Sequence, residues 1–349
     1  MHLQQRINLL VELGSYLLSG DEDWLMAKQK ASRENGWFIP EFIDLAVQNI
    51  AGEFLQKEKL TDWVTHYQLP EKNPSPKNIG LIMAGNIPLV GFHDFLTLFI
   101  SGHRQTIKPS SKDETLIRRL VAQLTALDPS VGDYVCFAER LNGCDAYIAT
   151  GSNNSARYFE YYFSKYPHII RRNRTSVAVL DGRETADELD KLADDVLLYF
   201  GLGCRNVTKI YTPEGYDFVP LLQAFSKYAP LADFSRYKNN YDYQLTLLIL
   251  NKKYYMSTET ILLTENPSVF SPISVLNLEY YKPGSDIAGS LLSNKDIQCI
   301  IGREQNFALN PVERSFGTFA SLVPFGRAQQ PTLTDYADGV DTLQFLHTL

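Results

Sequence analysis

Cysteine is scarce in this chain, with Cys136, Cys144, Cys204 and Cys299 the four in 349 residues, and none paired closely with another. That spacing excludes a zinc-ligand cluster or a redox dithiol motif and predicts a reducing compartment, the cytoplasm, with no metal. Excess basic charge is also missing. The net charge of −7 offers no overall attraction to a phosphate backbone or an anionic bilayer, so nucleic acid is not an expected partner. Long apolar runs are absent too, since the most apolar stretch, Ile79 to Phe92, is broken by Gly85, Asn86, Pro88 and Gly91, and no membrane span is expected. At the N-terminus Leu9, Leu10, Leu13, Tyr16 and Leu17 recur at helical spacing around Glu12, which predicts an amphipathic helix in place of a signal peptide. What the chain does have is a globular balance, 44% hydrophobic and 21% charged, which predicts folded structure nearly throughout.

A chain of this length suits two domains better than one core. Leu3 to about Trp63 reads as helical, and Pro70, Pro74 and Pro76 then end that pattern before Asn78. An alternation follows: strands at Ile79 to Ala84, Arg104 to Lys108, Asp133 to Phe137, Ala146 to Thr150 and Ser176 to Leu180, separated by helices at Leu89 to Ser101, Asp113 to Leu127, Asn154 to Phe163 and Thr185 to Tyr199. Beyond Cys204, further strands are expected at Asn206 to Tyr211, Leu245 to Leu250, Ser274 to Tyr281 and Gln298 to Ile301. Short strands alternating with helices predict α/β architecture with mostly parallel sheets. The expected organisation is a helical segment 1–78, a nucleotide-binding domain 79–200, a second α/β domain 201–324 carrying Cys204, and a tail 325–349 returning to the cofactor domain or to an oligomer interface.

Four local patterns carry the chemistry. Ala84-Gly85-Asn86-Ile87-Pro88-Leu89 closes an apolar strand and puts a polar side chain at the sheet's carboxyl edge, where doubly wound folds bind ligands. Lys108-Pro109-Ser110-Ser111 closes the next strand with a cation and hydroxyls suited to ribose or phosphate. Thr150-Gly151-Ser152 forms a strand-to-helix turn where helix N–H groups and a small residue admit a pyrophosphate, although it is not a GxGxxG motif. Finally, Gly201-Leu202-Gly203-Cys204-Arg205 places a thiol in a glycine-flanked loop beside a cation that favours thiolate.

In order and identity these segments resemble the acyl-CoA reductases of the LuxC type, fatty acid reductases within the aldehyde dehydrogenase superfamily. Asn86-Ile87-Pro88-Leu89 resembles the superfamily's Asn-Phe-Pro-Leu turn, which implies an oxyanion-hole amide at Asn86. Lys108-Pro109-Ser110 resembles its ribose-contacting Lys-Pro-Ser segment, and Thr150-Gly151-Ser152 its pyrophosphate turn. Cys204 falls where the family's nucleophile should be. The resemblance spans Ile79 to Tyr211 and implies an aldehyde-dehydrogenase-like fold, two Rossmann-like α/β domains with a cleft between them. It further implies reduction of an acyl-CoA or other acyl thioester through a Cys204 acyl-enzyme, a homo-oligomer, and an acyl-carrying or acyl-activating protein as a partner.

Three departures from the family pattern matter. Ile170 stands where aldehyde-oxidising members place the glutamate that activates water, so a thioester on Cys204 would persist long enough to be reduced. Ser111 replaces a glutamate common in NAD-preferring relatives, and with Lys112 beside it this favours NADPH, NADH being the alternative. Arg314-Ser315-Phe316-Gly317 matches a Glu-x-Phe-Gly segment with arginine in place of the ribose-holding glutamate, which puts hydride transfer in question. Two other activities on the same fold stay open, an acyl phosphate reductase and an acyltransferase, as does a non-catalytic binding or scaffold relative.

Each residue also has a plain structural reading. Asn86 caps the following helix; Cys136, Cys144 and Cys299 are strand or turn residues; His93 and His103 are packed or solvated without a role. Arg171-Arg172-Asn173-Arg174 is a solvated basic edge, with attraction of CoA phosphates the alternative, and Tyr158, Phe159, Tyr161, Tyr162 and Phe163 are core or helix-face packing, with an acyl-chain lining the alternative.

Overall fold

The computed structural model describes residues 1–282, 287–303 and 320–349. The chain divides into two compact units, Met1–Asn173 with Pro331–Leu349, and Arg174–Gln330.

In the first unit four α-helices precede the sheet, α1 (Leu3–Leu17), α2 (Glu22–Glu34), α3 (Pro40–Asn49) and α4 (Lys57–His66), with a π-helical turn, Ile50–Phe54, between the last two. Then come β1 (Asn78–Ile82), α5 (Phe92–Ser101), β2 (Arg104–Lys108), α6 (Glu114–Leu127), β3 (Val135–Phe137), β4 (Ala146–Thr150), α7 (Asn153–Phe163) and β5 (His168–Arg171). The strands form a five-stranded parallel sheet in the order β3-β2-β1-β4-β5. Leu10 and Leu13 of α1, Phe95 and Phe99 of α5, and Leu120 and Leu124 of α6 share one fully buried core with Ile79, Leu81, Ile107 and Ile148 of the sheet. The N-terminal helices are therefore part of this unit's core, as the apolar spacing of α1 leads one to expect. Residues 331–349 belong to this unit as well, and their helix Thr342–His347 packs on α5.

The basic run at 171–174 is not a uniformly solvated edge. Arg171, at the end of β5, is buried, pairs with Asp94 in the first turn of α5, and donates to Thr342 Oγ1 at 2.7 Å. A buried guanidinium keeps its charge only with such partners. Arg171→Met would leave Asp94 buried and uncompensated, and the unfolding free energy in urea is expected to fall by about 3–5 kcal/mol. Adding Asp94→Leu should recover most of that loss; a double variant as unstable as the single would refute the pairing. Tyr158, Tyr161 and Tyr162 of α7 also depart from the core reading, at 67%, 79% and 66% exposure, because only Ala156 of this helix is buried. Phe163 does pack, stacking on Tyr147 of β4 at 4.0 Å.

The second unit is a seven-stranded sheet in the order β12-β11-β6-β7-β10-β9-β8, parallel except for the β8–β9 pair. Its elements are β6 (Thr175–Val179), α8 (Ala186–Leu197), β7 (Val207–Pro213), α9 (Val219–Ala224), α10 (Ser235–Leu250), β8 (Met256–Ser257), β9 (Leu262–Glu265), β10 (Val275–Tyr281), α11 (Ile287–Leu292), β11 (Ile297–Ile301) and β12 (Ser321–Val323). The division between units thus falls at 173/174, not at 200/201, because β6 pairs with β7 and β11 while β5 closes the first sheet.

Leu245 to Leu250, expected as a strand, is the last stretch of α10. A short apolar run is compatible with either state. The helix is fixed upstream of it by Tyr237 and Tyr241, one helical turn apart and both buried, which donate to the Thr260 and Thr258 carbonyls at 2.8 and 2.6 Å. Among the described residues no helix is long and apolar enough to cross a membrane, and no cluster of side chains is arranged to hold a metal.

Candidate active site

In the first sheet the chain runs outward from β1 through β2 to β3, then resumes on the other side of β1 with β4 and β5. The order reverses between β1 and β4, and in open α/β sheets ligands bind at the carboxyl ends of strands where this happens. The 84–89 turn leaves β1 at that point, Thr150-Gly151-Ser152 ends β4 and leads into α7, and Lys108-Pro109-Ser110-Ser111 leaves β2 beside β1. Asn86, Lys108, Ser110, Ser111, Thr150, Gly151 and Ser152 are thereby gathered at one edge of one sheet.

The glycines of these turns lie tightly against neighbouring side chains. A Cβ on Gly85 would stand 2.7 Å from Ser110 Cβ and Oγ, so only glycine lets the β1 turn lie against the β2 turn. One on Gly151 would stand 2.9 Å from Phe159 and from Ser155, so the pyrophosphate-type turn also requires glycine to close onto its helix. Ser152 caps α7 by accepting the Ser155 N–H at 3.2 Å. Lys108 and Ser111 are exposed. Asn86 does not cap α5, whose cap position is Gly91. At the far end of the same turn Leu89 has a φ of 55°, a left-handed conformation that costs a branched side chain roughly 1–2 kcal/mol, and its N–H donates to Asp113 Oδ2 at 2.6 Å.

Cys204 belongs to the second unit, in the loop between α8 and β7. The loop is wound tightly. Tyr199 and Phe200 have φ of 54° and 58°, and Gly201 follows at 72°. Two consecutive bulky left-handed residues persist only where surroundings over-determine them. Here both are buried, and the Phe200 ring packs on Phe234 and Tyr237 at 5.0 and 5.8 Å.

Asn206, fully buried, ties the loop together. Its Nδ2 donates to the carbonyls of Asp195, Val196 and Leu198 at 3.1, 3.2 and 2.8 Å, and its Oδ1 accepts the Gly203 N–H at 2.8 Å. The Cys204 carbonyl accepts from Ser176 Oγ at 3.1 Å, and that hydroxyl accepts the Cys299 N–H at 3.1 Å. Cys204 is half-buried and not in a disulfide. Arg205, expected beside the thiol, donates through Nη1 to the Ala328 carbonyl at 3.4 Å.

The histidines have structural partners, as their plain reading predicts. A ring nitrogen of His93 meets the Leu333 carbonyl at 2.9 Å, and His103, whose pKa burial pushes below its ordinary value, accepts the Lys77 N–H at 3.1 Å. Ser176, Asn206, Asp113 and Asp195 carry positioning bonds without any sequence signal beyond being polar at a strand, turn or helix end. Arg314-Ser315-Phe316-Gly317 lies outside the described residues.

Burial pushes two of these carboxyls, Asp113 and Asp195, up to about 7, against the Leu89 N–H in the first case and the Gly326 and Ala328 N–H groups in the second. Each holds in the folded state a proton that the unfolded chain releases near pH 4, so the stability each contributes is complete below that pH and is lost as pH rises through about 7. Thermal melts are expected to give a Tm about 5 °C lower at roughly pH 8 than at roughly pH 5. The Asp113→Asn/Asp195→Asn double variant should flatten that slope, and a wild-type Tm rising toward alkaline pH would contradict the assignment.

Known proteins resemble this chain in part of its sequence and in its fold. The family model for acyl-CoA reductase (LuxC) matches residues 47–217, a span that contains Asn86, the two cofactor-type turns and Cys204. No curated protein matches the chain. Among solved structures, the aldehyde dehydrogenase of Mycobacterium tuberculosis complexed with NAD+ is similar with a TM-score of 0.69 at 12% identity, over 92% of this chain and 78% of that one. The glyceraldehyde-3-phosphate dehydrogenase GapN of Methanocaldococcus jannaschii, complexed with NADP, is similar at 0.68 and 12% over 94% and 82%. Aldehyde dehydrogenase 21 of Physcomitrella patens, in complex with succinate, gives 0.68 and 10% over 100% and 84%. Residues 47–217 thus resemble the acyl-CoA reductases of the LuxC family, and the fold is similar to that of the aldehyde dehydrogenases compared.

Proposed function

We propose that this protein reduces an acyl-CoA, or another acyl thioester, to the aldehyde through an acyl-enzyme on Cys204. The observation that carries the reading is the Cys204 loop: a half-buried thiol on a backbone held by Asn206 and Ser176, inside the stretch matched by the acyl-CoA reductase family. The Cys204 thiolate attacks the thioester carbonyl, and the carbonyl π electrons move to oxygen, where the Asn86 amide and the Cys204 N–H are assigned to stabilise the charge. Collapse expels CoA thiolate, which takes a proton, and leaves the acyl group on sulfur. With Ile170 where a water-activating carboxylate would stand, that thioester is not hydrolysed quickly.

The edge formed by Lys108, Ser110, Ser111 and the Thr150-Gly151-Ser152 turn fits a dinucleotide in its chemistry, with an exposed cation, hydroxyls and a helix start at the reversal point of the sheet. A nicotinamide dinucleotide bound there supplies the hydride. Collapse of the thiohemiacetal on Cys204 then releases aldehyde and regenerates the thiol. NADPH is the favoured form. No carboxylate stands at Ser111, Lys112 is exposed beside it, and the next carboxylate, Asp113, is buried against Leu89. A homo-oligomer and an acyl-delivering protein partner complete the proposal by analogy of fold.

Mixing the protein with an acyl-CoA should release one equivalent of CoA in a burst and add the acyl mass to the peptide bearing Cys204. Aldehyde should form only once NADPH is added. Absence of both burst and adduct would overturn the reading, and NADPH consumption with an acyl phosphate but not with acyl-CoA would replace its substrate.

A further inference from the structure

Asp113 occupies the position immediately before α6, where an aspartate ordinarily caps the helix by accepting one of its first N–H groups. Its side chain makes no such bond. It turns instead toward the segment that follows β1, and Oδ2 accepts the Leu89 N–H at 2.6 Å. That bond holds Leu89 in its left-handed conformation at one end of the turn. At the other end Gly85 lies against Ser110 and against Asp113 itself, whose Cβ would be 3.1 Å from a Cβ at 85. Asp113 is braced in turn by its own N–H, which donates to the Ser110 carbonyl at 3.0 Å.

Stability does not account for this arrangement. The carboxyl is buried, its Oδ1 has no hydrogen-bond partner among the described residues, and the end of α6 forgoes its cap. Burying a carboxylate half-satisfied is unfavourable wherever nothing else is gained. What is fixed in exchange is the arc 85–89, with Asn86 inside it. We infer that Asp113 is a positioning residue: from beneath the turn it clamps the Leu89 N–H, sets Asn86 for contact with the oxyanion, and couples this turn to the Lys108–Ser110 segment.

The inference rests on the oxyanion role proposed for Asn86, and a double-mutant cycle separates the two. Burst rates of CoA release are measured for the full chain and for Asn86→Ala, Asp113→Ala, Asp113→Asn and the Asn86→Ala/Asp113→Ala pair. Loss of the oxyanion amide is expected to slow the burst about 100-fold. Asp113→Ala should slow it roughly 30-fold with the KM for acyl-CoA within about twofold, because a displaced donor affects the transition state more than ground-state binding. Asp113→Asn should stay within about threefold of wild type, since its amide oxygen can accept the Leu89 N–H while its NH2 takes the place of the unpaired oxygen. The pair should be no slower than Asn86→Ala alone, as expected of residues acting through one another. Should Asp113→Ala not fold, Asp113→Ser, too short to reach Leu89, reads the same loss. Losses that multiply in the pair, or an alanine variant at wild-type rate, would overturn the positioning role alone. An unchanged burst in Asn86→Ala would overturn the oxyanion reading, and this inference with it.

Discussion

Cys204→Ala is expected to lose at least about 10⁴-fold in acyl-CoA reduction, the range in which removal of a covalent nucleophile falls. The Cys204 carbonyl is held by Ser176 and the loop by Asn206, and alanine keeps both of these bonds. The melting temperature should therefore stay within about 2 °C of wild type, since surface or half-buried changes away from a packing or bonding feature are usually small. Cys204→Ser sharpens the test. A hydroxyl of similar size keeps the shape but lacks the accessible anion of a thiol, and turnover is expected to fall roughly 10³-fold or more. Steady-state rates with acyl-CoA and NADPH check both, and mass spectrometry should find no acyl adduct on the alanine variant. A Cys204→Ala protein that still releases CoA in a burst would remove the nucleophile from the proposal.

How much of this was legible in the residues depended on how local each determinant is. Strands β2 and β4 have the predicted bounds, Arg104–Lys108 and Ala146–Thr150, because each is stopped by the proline or glycine of the turn that follows it. The turn after β1 and the glycine-flanked loop at Cys204 were likewise readable, since glycine and proline announce the backbone they permit. Pairing was not. That β6 joins β7 and β11, and so opens the second unit at Arg174, is a long-range choice that no window of sequence around Ser176 contains. Burial of a charge is equally non-local: Arg171 looks like its neighbour Arg172 until Asp94 and Thr342 arrive from distant segments, whereas Arg172 stays exposed beside Glu160. Asp113 shows the sharpest case, because aspartate before a helix is so common a cap that its other use leaves no trace in the residue string. Tyr199 and Phe200 show the reverse, bulky residues in a conformation that residue type argues against, held among other contacts by the packing of Phe200 on Phe234 and Tyr237.

Asn206→Ala is expected to damage both stability and chemistry, by about 3–4 kcal/mol of unfolding free energy and roughly 100-fold in kcat. The side chain is fully buried and gives two kinds of bond: its amide donates to three carbonyls at the end of α8, and its oxygen accepts the N–H of Gly203, next to the nucleophile. Alanine leaves those groups without it in a site where water cannot replace it fully, and each such loss ordinarily costs about 1–3 kcal/mol before relaxation. The left-handed turn at Tyr199 and Phe200 then loses a restraint that keeps it wound, and the sulfur is no longer held within the fraction of an ångström that attack on a carbonyl demands. Asn206→Asp discriminates between shape and donor chemistry. Aspartate fills the same volume and still accepts from Gly203, but it faces the Asp195, Val196 and Leu198 carbonyls with a second oxygen where the amide donated. It should be at least as unstable as alanine at neutral pH, despite being the closest isostere. Urea unfolding and the CoA burst, measured together, check the pair of effects, and an aspartate variant that folds and turns over like wild type would show that the amide's three donations do not hold this loop.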